Sequence, residues 1–200
     1  MARKTGLTKD TLQHMILDAG VIYLDYGKPT QRKLGCTRGG SEFSVEGERR
    51  DMPFDGISGI VKGGVRYLST KATLSTNLVE ISKEIIQMTI PGSTVSAGTP
   101  AKDEGAVAIT GENQYEISRK FTSTIPTLPF YDIALVAEVS NLKTPVVCIL
   151  KNSVSDGKFS ISVKDGDEAV LAVTFQATVD PEDPDDEGWT IIWPEKLPTV

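Results

Sequence analysis

Few residues in this chain have the types and spacing that chemistry needs. The single histidine, His14, lies in a polar amphipathic segment, and no serine or cysteine stands with it as nucleophile to base. The nucleophile-elbow pattern G-x-S-x-G is absent. Cys36 has Arg32, Lys33 and Arg38 close by in sequence, which favours a thiolate, but no base or acid accompanies it. Gly56, Gly59, Gly63 and Gly64 surround Lys62. They do not form a phosphate-binding loop, because Lys62 is followed by glycine rather than Ser or Thr. The acidic run at 180–188 attracts cations in principle, with Asp183, Asp185 and Asp186 as the candidate oxygens. It lacks the ligand spacing of an EF-hand and is stiffened by two prolines, which favours a solvated acidic turn. These residues lead us to expect no enzyme, no catalytic or metal-binding residue and no cofactor.

Composition narrows the classes further. The chain has 200 residues and a formal charge of −6. A protein that grips nucleic acid by neutralising phosphate needs a basic surface, so that class is disfavoured. An acidic wall that lets nucleic acid slide past is compatible with the same charge. Two unpatterned cysteines, Cys36 and Cys148, give no disulfide framework and suit a reducing cytoplasm. Residues 1–10 carry no apolar signal core and no 18-residue apolar run occurs, so a soluble protein without a membrane association is expected.

The elements that must position any functional surface are mostly strands. Residues 1–19 read as an N-terminal arm, weakly helical at 11–17, and 21–26 as a short strand. Residues 35–64 are rich in glycine and charge and read as a long inter-strand loop, with short strands possible at 42–46 and 51–54. Residues 65–77 alternate. Leu68, Ala72, Leu74 and Leu78 face one side; Ser69, Lys71, Thr73, Ser75 and Asn77 face the other. At about 13 residues this strand is long enough to project beyond a small sandwich. A helix follows, with Asn77 and Glu80 as a capping box and Leu78, Ile81, Ile85 and Met88 as its apolar stripe, ending at Pro91-Gly92. Residues 113–122 alternate again, with Gln114, Glu116 and Ser118 on the polar face. Residues 131–139 form a strand, and a three-stranded meander with turns at Asp156-Gly157 and Asp165-Gly166 fills 145–179. The tail at 180–200 reads as a C-terminal arm in which Trp189 and Trp193 either anchor a contact or cap the domain. One mainly β domain results: a β-sandwich or partial barrel with one flanking α-helix, a long inter-strand loop and terminal arms.

Several of these segments occur in a telling order. DAGVIYLDYG leads to LGCTRGGSEFSVEGERRDMPFDGISGIVKGG and then VRYLSTKATLSTNLVEIS, and KDGDEAVLAVTFQATVD closes the chain's last hairpin. This order resembles the major tail tube proteins of long-tailed bacteriophages. The resemblance implies a small β-sandwich with one helix whose copies form hexameric rings. The rings stack into a tube that conducts DNA out of the virion. Its partners would be further copies of itself, the tape measure, tail terminator and baseplate or tail-tip proteins. It implies assembly in the host cytoplasm and residence in the virion tail. Sheets would join edge to edge between subunits, and the 35–64 loop would reach the next ring, with Arg38, Glu48, Arg49, Arg50 and Asp51 in inter-subunit ion pairs. Ser69, Lys71, Thr73, Ser75, Asn77, Gln114, Glu116 and Ser118 become candidates for the lumen.

Physical reasoning is compatible with such a tube. Open sheet edges invite pairing, and a closed ring removes them. About four strands from each of six copies, at ~4.8 Å spacing and ~40° tilt, give a backbone circle about 45–50 Å across and a channel of about 35–40 Å. Equally, the polar faces serve as solvent faces of a monomeric sandwich. Two other functions stay open: a calcium-assisted carbohydrate-binding sandwich, and another phage structural protein such as a tail terminator or head decoration subunit.

Overall fold

The computed structural model describes residues 11, 20–97, 115–119, 128–139, 144–163 and 165–194. The N-terminal arm expected at 1–19, with His14 and its helical tendency, therefore lies outside the described residues, Thr11 apart. The same holds for Gln114 and for the chain end beyond residue 194.

The fold is mainly β, with a large antiparallel sheet and, among the described residues, one short α-helix. In chain order the strands are β1 (Val21–Leu24), β2 (Arg32–Lys33), β3 (Thr37–Asp51) and β4 (Val65–Leu78). Helix α1 (Lys83–Thr89) follows, then β5 (Thr94–Ala97), β6 (Tyr115–Ser118), β7 (Tyr131–Ala137), β8 (Val146–Ser155), β9 (Ile161–Ser162), β10 (Val170–Gln176) and β11 (Trp189–Ile192). The main sheet runs β2-β1-β7-β8-β10-β4-β3, with β11 also on β8 and β9 also on β10, and it does not close into a barrel.

β8 holds the two halves together. Up to Ser153 it pairs with β7, while Leu150 to Val147 pair with β11. Its last residues, Val154 and Ser155, pair with β10. The change of partners falls next to Asn152, whose φ of 48° is left-handed, a conformation that asparagine tolerates better than most residues. The two halves then face each other across one core. Ile22, Ile133 and Leu150 come from one half; Leu74, Leu171 and Phe175 come from the other. Ile85 and Met88 of α1 join them. Such a sandwich-like core is what alternating apolar residues on both sheets predict.

Half of the long loop expected at 35–64 is strand. β3 pairs with β4 from Thr37↔Leu78 to Asp51↔Val65, making a long hairpin whose tip is residues 52–64. Within β3, Phe43 and Val45 share the core-side face with Leu74 and Ala72, while Glu42, Ser44, Glu46 and Glu48 face outward. Gly39 and Gly40, both at positive φ, sit in an irregularity between Thr37 and Ser41. A second irregularity lies between Glu48 and Arg49. There the pairing skips Leu68, which brings Tyr67 to the core-side face, against Gly47. Glycine here ends no strand; it gives bulges room and an aromatic ring a surface. Of the short strand expected at 51–54, only Asp51 is strand, as the last residue of β3; residues 52–54 belong to the tip.

Three further expectations are corrected. Asn77 is a strand residue paired with Ala172, and the helix cap is Ser82, whose Oγ accepts the Ile85 N–H at 3.3 Å. Leu78 likewise ends β4 rather than beginning a helical stripe, because β10 extends the ladder that far. The meander also differs: β9 is two residues long and pairs with β10 only, while β8 meets β10 directly. Finally, part of the expected C-terminal arm, Trp189–Ile192, belongs to the body. β11 pairs with β8, and Trp189 packs on the core, because an apolar strand finds an open edge beside Cys148 and Leu150. Among the described residues no helix is long and apolar enough to cross a membrane.

Candidate assembly surfaces

The outer face of β10-β4-β3 carries polar side chains in register. Thr174 stands beside Ser75, and Ser75 beside Glu42; in the next row Gln176, Thr73 and Ser44 are neighbours. Lys71 lies opposite Glu46, and Ser69 opposite Glu48. Hydroxyls link the strands: Ser75 to Thr174 at 3.1 Å, Ser44 to Thr73 at 3.0 Å, and Ser69 donates to Glu48 at 3.2 Å. On the reverse side Ala72, Leu74, Thr76 and Leu78 are buried. From Ser69 to Asn77 the sheet thus has an apolar inner face and an outer face of hydroxyls, three β3 glutamates and one lysine.

This places Ser69, Lys71, Thr73, Ser75 and Asn77 on one continuous surface. Glu116 and Ser118 are elsewhere: β6 pairs only with β5, in a separate two-stranded ribbon. That ribbon touches α1 through Lys83, whose ammonium lies 4.2 Å from the Tyr115 ring centre. Glu42 and Glu46 were missed as members of the polar face. The alternation Glu42-Phe43-Ser44-Val45-Glu46 carried the signal, but the flanking glycines obscured it.

Four charged residues of β3, Arg38, Glu48, Arg49 and Asp51, have partners within the chain. Arg38 binds Asp167 and Glu168 in the turn before β10, the latter at 2.6 Å, and this pairing holds the Asp167 carboxyl below its ordinary range. Arg49 pairs with Asp51 at 3.1 Å. Glu48 accepts from Ser69, and Arg50 stands opposite Arg66. Trp189 donates to Glu187 at 3.1 Å, whereas Trp193 is exposed.

The hairpin outruns the core. Leu68 and Tyr67 are 57% and 74% exposed, and Phe54, Ile57 and Ile60 at the tip are also open to solvent. The far side of β3 has no partner among the described residues, nor has that of β2.

The acidic turn is organised by its own chain. Asp186 binds Lys151 at 2.5 Å and accepts the Gly188 N–H at 2.9 Å, and both interactions lower its pKa. Asp180 accepts the Glu182 N–H, and Glu187 accepts from Thr70. Among the described residues no three acidic, histidine or cysteine side chains are grouped to hold a metal. Cys36 is exposed and Cys148 half-buried, each free, with burial raising the Cys148 thiol.

No family model and no curated protein matches this chain.

Proposed function

We propose that this chain is a structural, non-enzymatic subunit of the tail tube type, whose copies build a hollow tube for DNA. The observation that carries this reading is the β3–β4 hairpin. It is hydrophilic along its outer face, leaves its own core at an apolar tip, and ends the sheet with an edge that has no partner among the described residues. A monomer gains nothing from carrying about half of β4, roughly 23 Å at ~3.3 Å per residue, past its core. A ring does, because the neighbour covers the edge and the next ring covers the tip.

In this reading the sheets of hexameric rings join and the Ser69-to-Asn77 face lines the channel. Hydroxyls hold phosphate weakly, and Glu42, Glu46 and Glu48 against a single Lys71 repel it, so DNA slides without being retained. The tape measure, tail terminator and baseplate or tail-tip proteins are the further partners, and the virion tail is the location.

Negative-stain microscopy of the purified protein tests the proposal. Hollow tubes of uniform width support it. Discrete rings that never elongate favour a terminator or decoration subunit. Calcium-dependent retention on glycans, with no assembly, favours a carbohydrate-binding module.

A further inference from the structure

Three aspartates stand directly before a glycine: Asp55-Gly56, Asp156-Gly157 and Asp165-Gly166. This pairing permits a backbone rearrangement, because glycine has no Cβ to keep its nitrogen from the aspartate carboxyl. All three aspartates are exposed, and all three glycines lie at positive φ. Exposure and backbone class therefore do not separate the sites. What holds the carboxyl, the glycine N–H and the neighbouring chain does.

At Asp156-Gly157 both reacting groups are engaged. Asp156 Oδ1 accepts the Lys158 N–H at 3.0 Å, and the Lys158 ammonium lies 3.7 Å from the other oxygen. The Gly157 N–H donates to Ser155 Oγ at 3.2 Å. The Asp156 N–H donates to the Thr174 carbonyl at 3.0 Å, which ties the turn to β10. At Asp165-Gly166 the restraint comes just after the glycine. Asp167 and Glu168 both bind Arg38, and the Glu168 N–H is held by Asp167 Oδ1 at 3.1 Å. The chain on the glycine side is thus clamped to β3.

Asp55-Gly56, at the hairpin tip, has none of these restraints. Neither the Asp55 carboxyl nor the Gly56 N–H has a partner among the described residues. Nothing stands within 4 Å of where a Cβ on Gly56 would lie. The turn is closed by one long bond, from the Ile57 N–H to the Phe54 carbonyl at 3.3 Å. Breaking it leaves the peptide between Asp55 and Gly56 free to rotate.

We infer that Asp55 is the principal site at which the folded protein forms isoaspartate. The Gly56 nitrogen attacks the Asp55 side-chain carboxyl carbon and gives up its proton. The carboxyl hydroxyl takes a proton and leaves as water, which closes a succinimide ring. Water then adds to one of the two ring carbonyls. Addition at the main-chain carbonyl breaks its bond to the Gly56 nitrogen. The chain now runs through the side-chain carbon, and a free α-carboxylate remains. One water leaves and one returns, so the mass is unchanged and no oxidant, reductant or metal takes part. The product lengthens the backbone of the tip by one carbon. This chemistry is independent of the tube reading.

The test stores the full chain at neutral pH in heavy-oxygen water, folded or in guanidinium chloride. Mass spectrometry with electron-transfer fragmentation then reads the Asp-Gly sites in tryptic peptides 51–62, 152–158 and 165–196. In the folded protein, peptide 51–62 should hold severalfold more isoaspartate than either other peptide, each isoaspartate carrying one heavy oxygen. In guanidinium chloride the three sites should reach comparable levels, because the fold supplies the protection. D55E should remove the signal from 51–62 and leave the other two peptides as they were. Equal levels in the folded protein, or none in 51–62, would overturn the inference. So would a lead that persists at the same ratio in guanidinium chloride, or a signal in 51–62 that survives D55E.

Discussion

Asn152 donates its backbone N–H to an Asp132 carboxylate oxygen at 3.0 Å, at the point where β8 leaves one half of the sheet for the other. The other Asp132 oxygen binds Lys28 at 2.6 Å. Burial alone would raise this carboxyl, but Lys28 and the Asn152 N–H together carry it below the usual carboxylate range. A carboxyl lowered in the folded state stabilises the fold above its unfolded value, near pH 4, and that contribution is lost as pH falls through the lower folded value. D132N should therefore melt below wild type at pH 7, and the gap should close in the acid range below about pH 4. Thermal unfolding followed by circular dichroism across pH checks this; a gap that stays constant in acid would contradict it.

The left-handed backbone at Asn152 makes a second expectation. N152G should fold normally. N152V should lose about 1–2 kcal/mol, because a branched side chain meets its own carbonyl in that conformation. Urea unfolding of the two variants, compared with wild type, measures the difference.

Phe175 sits between the two halves at 1% exposure, in the core that β1, β4, β7, β8, β10 and α1 share. F175A should cost about 3–5 kcal/mol by lost burial and a residual cavity. A loss below about 1 kcal/mol in urea unfolding would mean that the two halves do not pack as described.

Tyr67 lies against Gly47 beyond the core, so its loss affects the hairpin and little else. Y67A should leave global stability within about 0.5 kcal/mol of wild type. Amide exchange at residues 45–49 should accelerate, and assembly should decline, because the projecting half of the hairpin loses its cover. Unchanged exchange would show that the ring supports nothing.

Reversing the outer face tests what passes over it. Wild-type tubes should not retain duplex DNA. E42K/E46K/E48K tubes should retain it, and salt should release it, since lysines on this face would neutralise phosphate. Retention of DNA by both, or by neither, would argue against this face as the channel wall.

Local alternation made much of this structure readable in the sequence. β10 and the second half of β4 follow the period of two closely, and the polar stripe from Ser69 to Asn77 is legible in the sequence. What escaped depended on distant partners. β3 was hidden by Gly39, Gly40 and Gly47, whose roles exist only against β4 and Tyr67. The helix start moved from Asn77 to Ser82 because β10 extends the strand. β11 looked like an arm because its partner, β8, is remote in sequence. The arginine pair was invisible for the same reason: Arg50 and Arg66 become neighbours only through the hairpin register.

A helical reconstruction of assembled tubes by electron cryomicroscopy tests the central claim most directly. The account predicts that Ser69, Lys71, Thr73 and Ser75 point toward the tube axis around a channel wider than a DNA duplex. Tubes in which those side chains face the exterior, or are packed between subunits, would contradict it.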